Sequence, residues 1–227
     1  MNGKLIVIEG LDGSGKATQA KRFAAALQKR GLAVREISFP NYESDSSALV
    51  KMYLAGCFGT EPGDVNAYAA SAFFAVDRYA GMKQDWGTFY ESGGILVADR
   101  YTTSNAVHQC CKLNREEWDS YLDWLFAFEY QKLGLPVPDK VFYLRVQLEE
   151  SQLLMTDRYH GDEHRKDIHE SNTAYLEKAK NAAEYCAKKY SWEIVDCMRE
   201  GALLSIETIG DELLKRFDAN NKTYYTH

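Results

Sequence analysis

Gly10-Leu11-Asp12-Gly13-Ser14-Gly15-Lys16-Ala17-Thr18 is the stretch on which the reading of this chain turns. A glycine, four residues and then Gly-Lys is the pattern of a phosphate-binding loop. Its glycines let backbone N–H groups curl around phosphate oxygens, and Lys16 can reach the outer phosphates. The loop opens a helix whose N-terminal dipole also favours an anion. Before it, Lys4-Leu5-Ile6-Val7-Ile8-Glu9 reads as a buried strand; after it, residues 19–30 read as an amphipathic helix. One position departs from the pattern. Ala17 stands where a Ser or Thr usually offers its hydroxyl to Mg²⁺, with Thr18 one step later.

The same alternation continues along the 227 residues. Strand-like runs recur at 5–9, 33–39, 95–99, 140–146 and 192–196, and helical patterns fill 18–30, 46–55, 65–86, 115–133, 171–190 and 203–217. Strands alternating with helices predict an α/β fold with a parallel sheet covered on both faces. Ligands of such sheets bind beyond the carboxyl ends of the strands. Only four prolines and scattered glycines interrupt the chain, which predicts one domain over 1–219 and a polar tail over 220–227. A net charge of −6 argues against broad nucleic-acid binding. The first apolar run is short and flows into the glycine loop, so neither a secretory signal nor a membrane span is expected. Five cysteines without paired metal spacing fit reduced thiols and a cytoplasmic location. Cys110-Cys111 is expected to pack inside a helix rather than to serve redox chemistry.

The remaining candidates lie at strand ends or in the helices that follow. Ile95 to Asp99 is an apolar strand ending in a carboxylate, with Arg100 and Tyr101 behind it. An acidic residue there commonly holds Mg²⁺, and the adjacent guanidinium suits a phosphate; the plainer alternative is a surface Asp–Arg pair. Phe39-Pro40-Asn41-Tyr42 turns the chain after the second strand. Phe74 and Arg78 share a helix face and could stack on a base and bind its carbonyl, or could equally be a core ring beside a solvated charge. Asn105 has an amide suited to a pyrimidine edge, and His108 reads as a pocket wall. Residues 156–166 are charged and contain Gly161; they predict a mobile lid, about 157–166, whose Arg158, Arg165 and Lys166 could swing onto a transferring phosphoryl group.

Taken together, Glu9 to Gln19, Phe39-Pro40, the run from Tyr53-Leu54-Ala55-Gly56 to Asp77-Arg78, Asp99-Arg100-Tyr101, Ser104-Asn105 and Asp167-Ile168-His169-Glu170 resemble the thymidylate kinases. The resemblance runs from Lys4 to about Leu214. It implies a five-stranded parallel sheet, a homodimer built through helices, and phosphoryl transfer from ATP·Mg²⁺ to dTMP. It implies that all nine loop residues, Gly10 to Thr18, contact ATP. It places Phe39, Tyr42, Phe74, Arg78, Asn105 and His108 around dTMP, with Phe74 under the base and Asn105 at its edge. Asp12 would contact the sugar 3′-hydroxyl side, directly or through the metal, Arg100 would hold the acceptor phosphate, and Asp99 the metal. Lys16, Arg100 and Arg158 would carry catalysis. Gly13 stands where some members carry an arginine, and here the lid is basic instead, which points to Arg158 as the transition-state cation. Two other readings stay open at this stage. One is a kinase for another pyrimidine nucleotide or a nucleoside; the other is a nucleotide-binding regulatory module without turnover.

Overall fold

The computed structural model describes residues 3–158, 167–170 and 172–220. Five strands, β1 (Lys4–Gly10), β2 (Val34–Ser38), β3 (Ile95–Asp99), β4 (Lys140–Arg145) and β5 (Glu193–Asp196), form one sheet. All four pairings are parallel, in the order β2-β3-β1-β4-β5. The inner strands β1, β3 and β4 are near-continuous apolar runs because both faces of the sheet are covered there, while the edge strands β2 and β5 carry polar residues as well. Leu5 and Val7 of β1 enter one core cluster, while Ile6 and Ile8 enter the other.

The helices are α1 (Lys16–Lys29), α2 (Ala48–Leu54), α3 (Ala67–Gly81), α4 (Gly87–Glu91), α5 (Thr102–His108), α6 (Trp118–Phe126), α7 (Leu148–Arg158), α8 (Thr173–Lys189) and α9 (Ile206–Asn220). On one side of the sheet, Phe23 of α1 packs edge-on against Phe142 of β4 and Phe217 of α9. On the other, α5 lies between the sheet and α8, where Ala106, Ala179, Ala182 and Cys186 are fully buried. β1 is central and flanked by β3 and β4, so the chain order reverses around it. The loop after β1 therefore opens into the crevice where such sheets bind ligands.

Several boundaries differ from the sequence expectation. The pattern at 65–86 continues from α3 through a π-helical turn, Met82–Trp86, into α4. The pattern at 115–133 likewise ends in a π-helical stretch, Ala127–Lys132. Leu203 belongs to a short antiparallel hairpin, Met198–Arg199 with Ala202–Leu203, and not to the last helix. Asp157 and Arg158 close α7 rather than opening a loop, because Leu148 to Met155 starts a helix that carries through them. The rest of the expected lid, with Arg165 and Lys166, lies outside the described residues, as do the Arg158 side chain and residues 221–227 of the tail. Cys110 and Cys111 sit in a buried 3₁₀ turn after α5, and burial raises both thiols, which keeps them protonated and unreactive.

Candidate active site

The loop after β1 has the geometry a phosphate cradle needs. Gly13 and Gly15 both take positive φ, 77° and 81°, a region that glycine enters without strain. A Cβ on Gly13 would also lie 2.1 Å from the Ser151 carbonyl oxygen of α7. The loop is therefore clamped under α7, and no side chain fits at that position. Lys16, buried at the start of α1, donates to the Leu11 carbonyl at 2.6 Å. Burial and the nearby Arg100 push its ammonium down to about 8, against the opposing pull of Asp12, Asp99 and Glu9. A phosphate would restore the lost counter-charge.

Glu9, at the end of β1, is 1% exposed. It accepts from Thr103 Oγ1 at 2.7 Å, Ser104 Oγ at 2.8 Å and the Gly10 amide at 2.9 Å. This carboxylate ties the phosphate loop to the start of α5 and fixes their spacing. Arg100, between β3 and α5, has φ 68°, strained for a non-glycine residue and typical of functional positions. Its guanidinium pairs with Asp12 and not with the neighbouring Asp99, so the surface-pair alternative does not hold. Burial opposes ionisation of Asp12, yet Arg100 and then Lys16 hold its carboxyl well below the usual range.

Asp99 Oδ1 is buried and has no hydrogen-bond partner among the described residues. An orphaned carboxylate oxygen beside a phosphate loop fits a hydrated cation. Among the described residues no cluster of three or more His, Cys, Asp or Glu side chains could cage a metal. A cation here would therefore rest on Asp99, water and substrate phosphates. Ala17 contributes only a methyl group.

The second half of the site lies between α3, α5 and the π-helical stretch after α6. Arg78 is 1% exposed, and Glu129 grips it with two bonds, Nε–Oε2 at 2.7 Å and Nη2–Oε1 at 2.5 Å. Thr102 Oγ1 and Asn105 Nδ2 donate to the same carboxylate at 2.7 and 3.1 Å. Asn105 Nδ2 also donates to the Ser71 carbonyl at 3.2 Å. Both amide hydrogens are thus spent, and Asn105 can offer a ligand only its Oδ1 as an acceptor. Arg78 keeps free N–H groups as donors. Phe74 stands one turn away with Tyr53 against its edge at 6.3 Å. Phe39 is buried against Trp86 and Tyr101, partly core as expected, while Tyr42 is half exposed. Asp77 holds the connecting loop, accepting from the Asn41 amide at 2.8 Å and from Ser46 Oγ at 2.6 Å.

One cavity of about 1260 Å³ joins the two halves. Its lining includes Asp12 to Thr18, Asp99 and Arg100 as well as Phe39, Tyr42, Phe74, Arg78, Asn105 and His108. Of the residues placed there from the sequence, Gly10 and Leu11 do not line it, Leu11 being packed into the core beneath the loop, and the Arg158 side chain is not described. Two residues of this region were not foreseen. Glu129 is fully buried behind Arg78 and Asn105, and Gln109 lines the wall one turn beyond Asn105, with both amide ends unpartnered among the described residues. The lining also has an apolar set, Leu154, Leu203, Leu204, Ile206 and Ile209.

Glu129 makes a test of this half. Removing one member of a buried ion pair costs ~3–5 kcal/mol, because the other charge is left stranded. Glu129→Ala is expected to lose stability on that scale in urea melts, and a loss below about 1 kcal/mol would show that Arg78 does not depend on it.

A phosphate cradle after β1, a cationic bridge beyond β3 and a second, base-sized pocket across one cavity define a P-loop phosphotransferase with a nucleotide as acceptor. Comparisons with known proteins agree. The family model described as "Thymidylate kinase" matches residues 8–204, and the chain belongs to that family. It is 32% identical over 147 residues to the thymidylate kinase of Mycobacterium tuberculosis, covering 64% of this chain and 67% of the relative. It is 26% identical over 216 residues to the human enzyme, covering 93% and 88%. The solved thymidylate kinase of Candida albicans shares the fold at a TM-score of 0.69 and 23% identity, covering 97% of this chain and 93% of that one.

Proposed function

We propose that the protein transfers the γ-phosphoryl group of ATP to dTMP, giving dTDP and ADP, with Mg²⁺ as the metal. The observation that carries this reading is the fixed hydrogen-bond polarity of the base pocket. Arg78 donates and Asn105 Oδ1 accepts. Thymine presents an O4 acceptor beside an N3–H donor, which complements that pair. Cytosine presents an amine donor beside a bare nitrogen, which opposes it at both positions.

In this reading ATP lies with its phosphates along Gly10 to Thr18 and its adenine among Leu154, Leu203, Leu204 and Ile206. Lys16 leaves the Leu11 carbonyl to bridge the outer phosphates. Arg100 exchanges part of its hold on Asp12 for the acceptor phosphate, and Asp12 is then free toward the sugar. Phe74 covers one face of the base. The transfer needs alignment and charge neutralisation rather than a covalent nucleophile. When bound through Asp99, Mg²⁺ would neutralise charge on the phosphates. Arg158, at the end of α7, supplies the cation for the transition state.

Mismatched buried polar groups give strong discrimination. We therefore expect kcat/KM to fall modestly from dTMP to dUMP, which lacks only the methyl group, and by at least about 10³-fold to dCMP. Steady-state ADP release with each acceptor measures this, and comparable rates for dCMP and dTMP would refute the base-pocket assignment.

A homodimer belongs to the same proposal. Leu49 and Met52 of α2 and Tyr68, Val76 and Tyr79 of α3 are large apolar side chains left exposed. A two-fold pairing of these helices would cover them. Light scattering at micromolar concentration is expected to give twice the 25.8 kDa chain mass; a constant monomer mass would exclude the pairing. Among the described residues no helix is long and apolar enough to cross a membrane, and we place the protein in the cytoplasm.

A further inference from the structure

Three segments far apart in sequence meet behind the acceptor half of the cavity. Lys112, in the 3₁₀ turn after α5, donates from Nζ to Tyr53 Oη at 2.7 Å and to the Val65 carbonyl at 3.1 Å. Tyr53, in α2, stands 2.7 Å from His169 Nε2 and 3.4 Å from the Pro62 carbonyl. His169 lies in the turn before α8. Its backbone is pinned by Asp167, whose Oδ1 accepts from the His169 and Glu170 amides at 2.8 and 2.9 Å.

The polarity of this chain of bonds follows from counting hydrogens. Tyr53 Oη already accepts from Lys112, and it has one hydrogen to give. The shorter contact takes it to His169 Nε2, which must then be the bare nitrogen of a neutral ring. Burial keeps His169 neutral, and His108, Lys112 and Arg100 reinforce this against the opposing charge of Asp12. The proton of His169 is therefore on Nδ1. That N–H has no partner among the described residues, and His169 lines the cavity.

Its position along the cavity is fixed from both sides. Toward the base end, His169 packs on Tyr53 at 5.3 Å, and Tyr53 packs on Phe74 at 6.3 Å. Toward the phosphate end, it stacks on His108 at 5.6 Å, and His108 Nε2 is 3.4 Å from Arg100. A nucleotide with its base over Phe74 and its phosphate at Arg100 must pass its sugar across this imidazole. We infer that His169 is a sugar-reading residue, donating from Nδ1 to the 3′-hydroxyl oxygen of the acceptor, and that Lys112 and Tyr53 are positioning residues that hold it in the tautomer able to do so. The inference rests on the acceptor pose proposed above. It assigns the sugar's donor, with Asp12 as the complementary acceptor of the hydroxyl hydrogen.

The test pairs each variant with two ligands, dTMP and its 3′-deoxy analogue, measured by calorimetric titration and by turnover. The wild-type protein is expected to bind dTMP at least tenfold tighter than the 3′-deoxy compound. His169→Phe keeps an aromatic ring but no donor, and should remove most of that preference by weakening dTMP alone. Tyr53→Phe and Lys112→Met should erode the preference in the same direction. Tyr53→Phe should add little on top of His169→Phe. His169→Asn retains an N–H near the Nδ1 position and should restore part of the preference. Equal weakening of both ligands in every variant would make the chain purely structural and overturn the inference. So would an unchanged preference in His169→Phe. A wild-type protein that binds both compounds equally refutes this assignment alone, whereas one that binds neither removes the acceptor pose beneath it.

Discussion

Replacing Asp99 with alanine is expected to lower kcat by about 10³-fold or more at saturating Mg²⁺, through loss of charge stabilisation on the transferring phosphoryl group. Asp99 Oδ1 is the buried carboxylate oxygen at the phosphate loop that lacks a donor from the described residues. Ala17, at the position that usually offers a hydroxyl, has none with which to compensate. The companion substitution goes the other way. Mg²⁺ keeps several waters and leans on substrate phosphates, so a water can fill the space a hydroxyl would have occupied. Ala17→Ser is therefore expected to change the Mg²⁺ concentration for half-maximal rate only a few-fold. Rate measurements across a Mg²⁺ titration check both. A wild-type protein that binds ATP and dTMP without turnover, with Ala17→Ser restoring it, would instead favour the regulatory-module reading.

Arg158→Ala is expected to lower kcat by about 10³-fold while changing dTMP affinity little, since its contact forms mainly in the transition state. Gly13 leaves the loop without an arginine of its own. Its positive φ and the Ser151 carbonyl 2.1 Å from any Cβ exclude an arginine within the loop itself. The transition-state cation must then arrive from elsewhere, and α7, whose Ser151 carbonyl stands against Gly13, ends at Arg158. Single-turnover kinetics with dTMP separate the two effects, and an unchanged chemical rate would make Arg158 an ordinary solvated charge.

What could be read in the sequence followed the physics of burial. The inner strands β1, β3 and β4 announce themselves because a parallel sheet covered on both faces needs near-continuous apolar runs, and β3 matched its expected span throughout. The phosphate loop was legible because its chemistry is local, carried by glycine backbone and one lysine. Helix α5 left little signal. Its Thr-Thr-Ser-Asn start is polar, yet these hydroxyls and amides are turned inward to satisfy Glu9 and Glu129. Glu129 itself was invisible, being 51 residues from Arg78 and presented by a π-helical stretch that shifts the face an α-helix would show. Tyr53 and His169 both stand in motifs that carry the resemblance, but their meeting across 116 positions could not be read from them. Motifs reveal residues that act on a ligand; the carboxylates and hydroxyls that aim those residues appear only when the chain is folded.

The measurement closest to the central claim is product analysis of the purified protein incubated with ATP, Mg²⁺ and dTMP, with dCMP in a parallel reaction. The account predicts dTDP and ADP in equal amounts from dTMP, dependent on Mg²⁺, and at most traces of product from dCMP. ATP and dTMP left unconverted at saturating Mg²⁺, or dCMP phosphorylated as readily as dTMP, would contradict it.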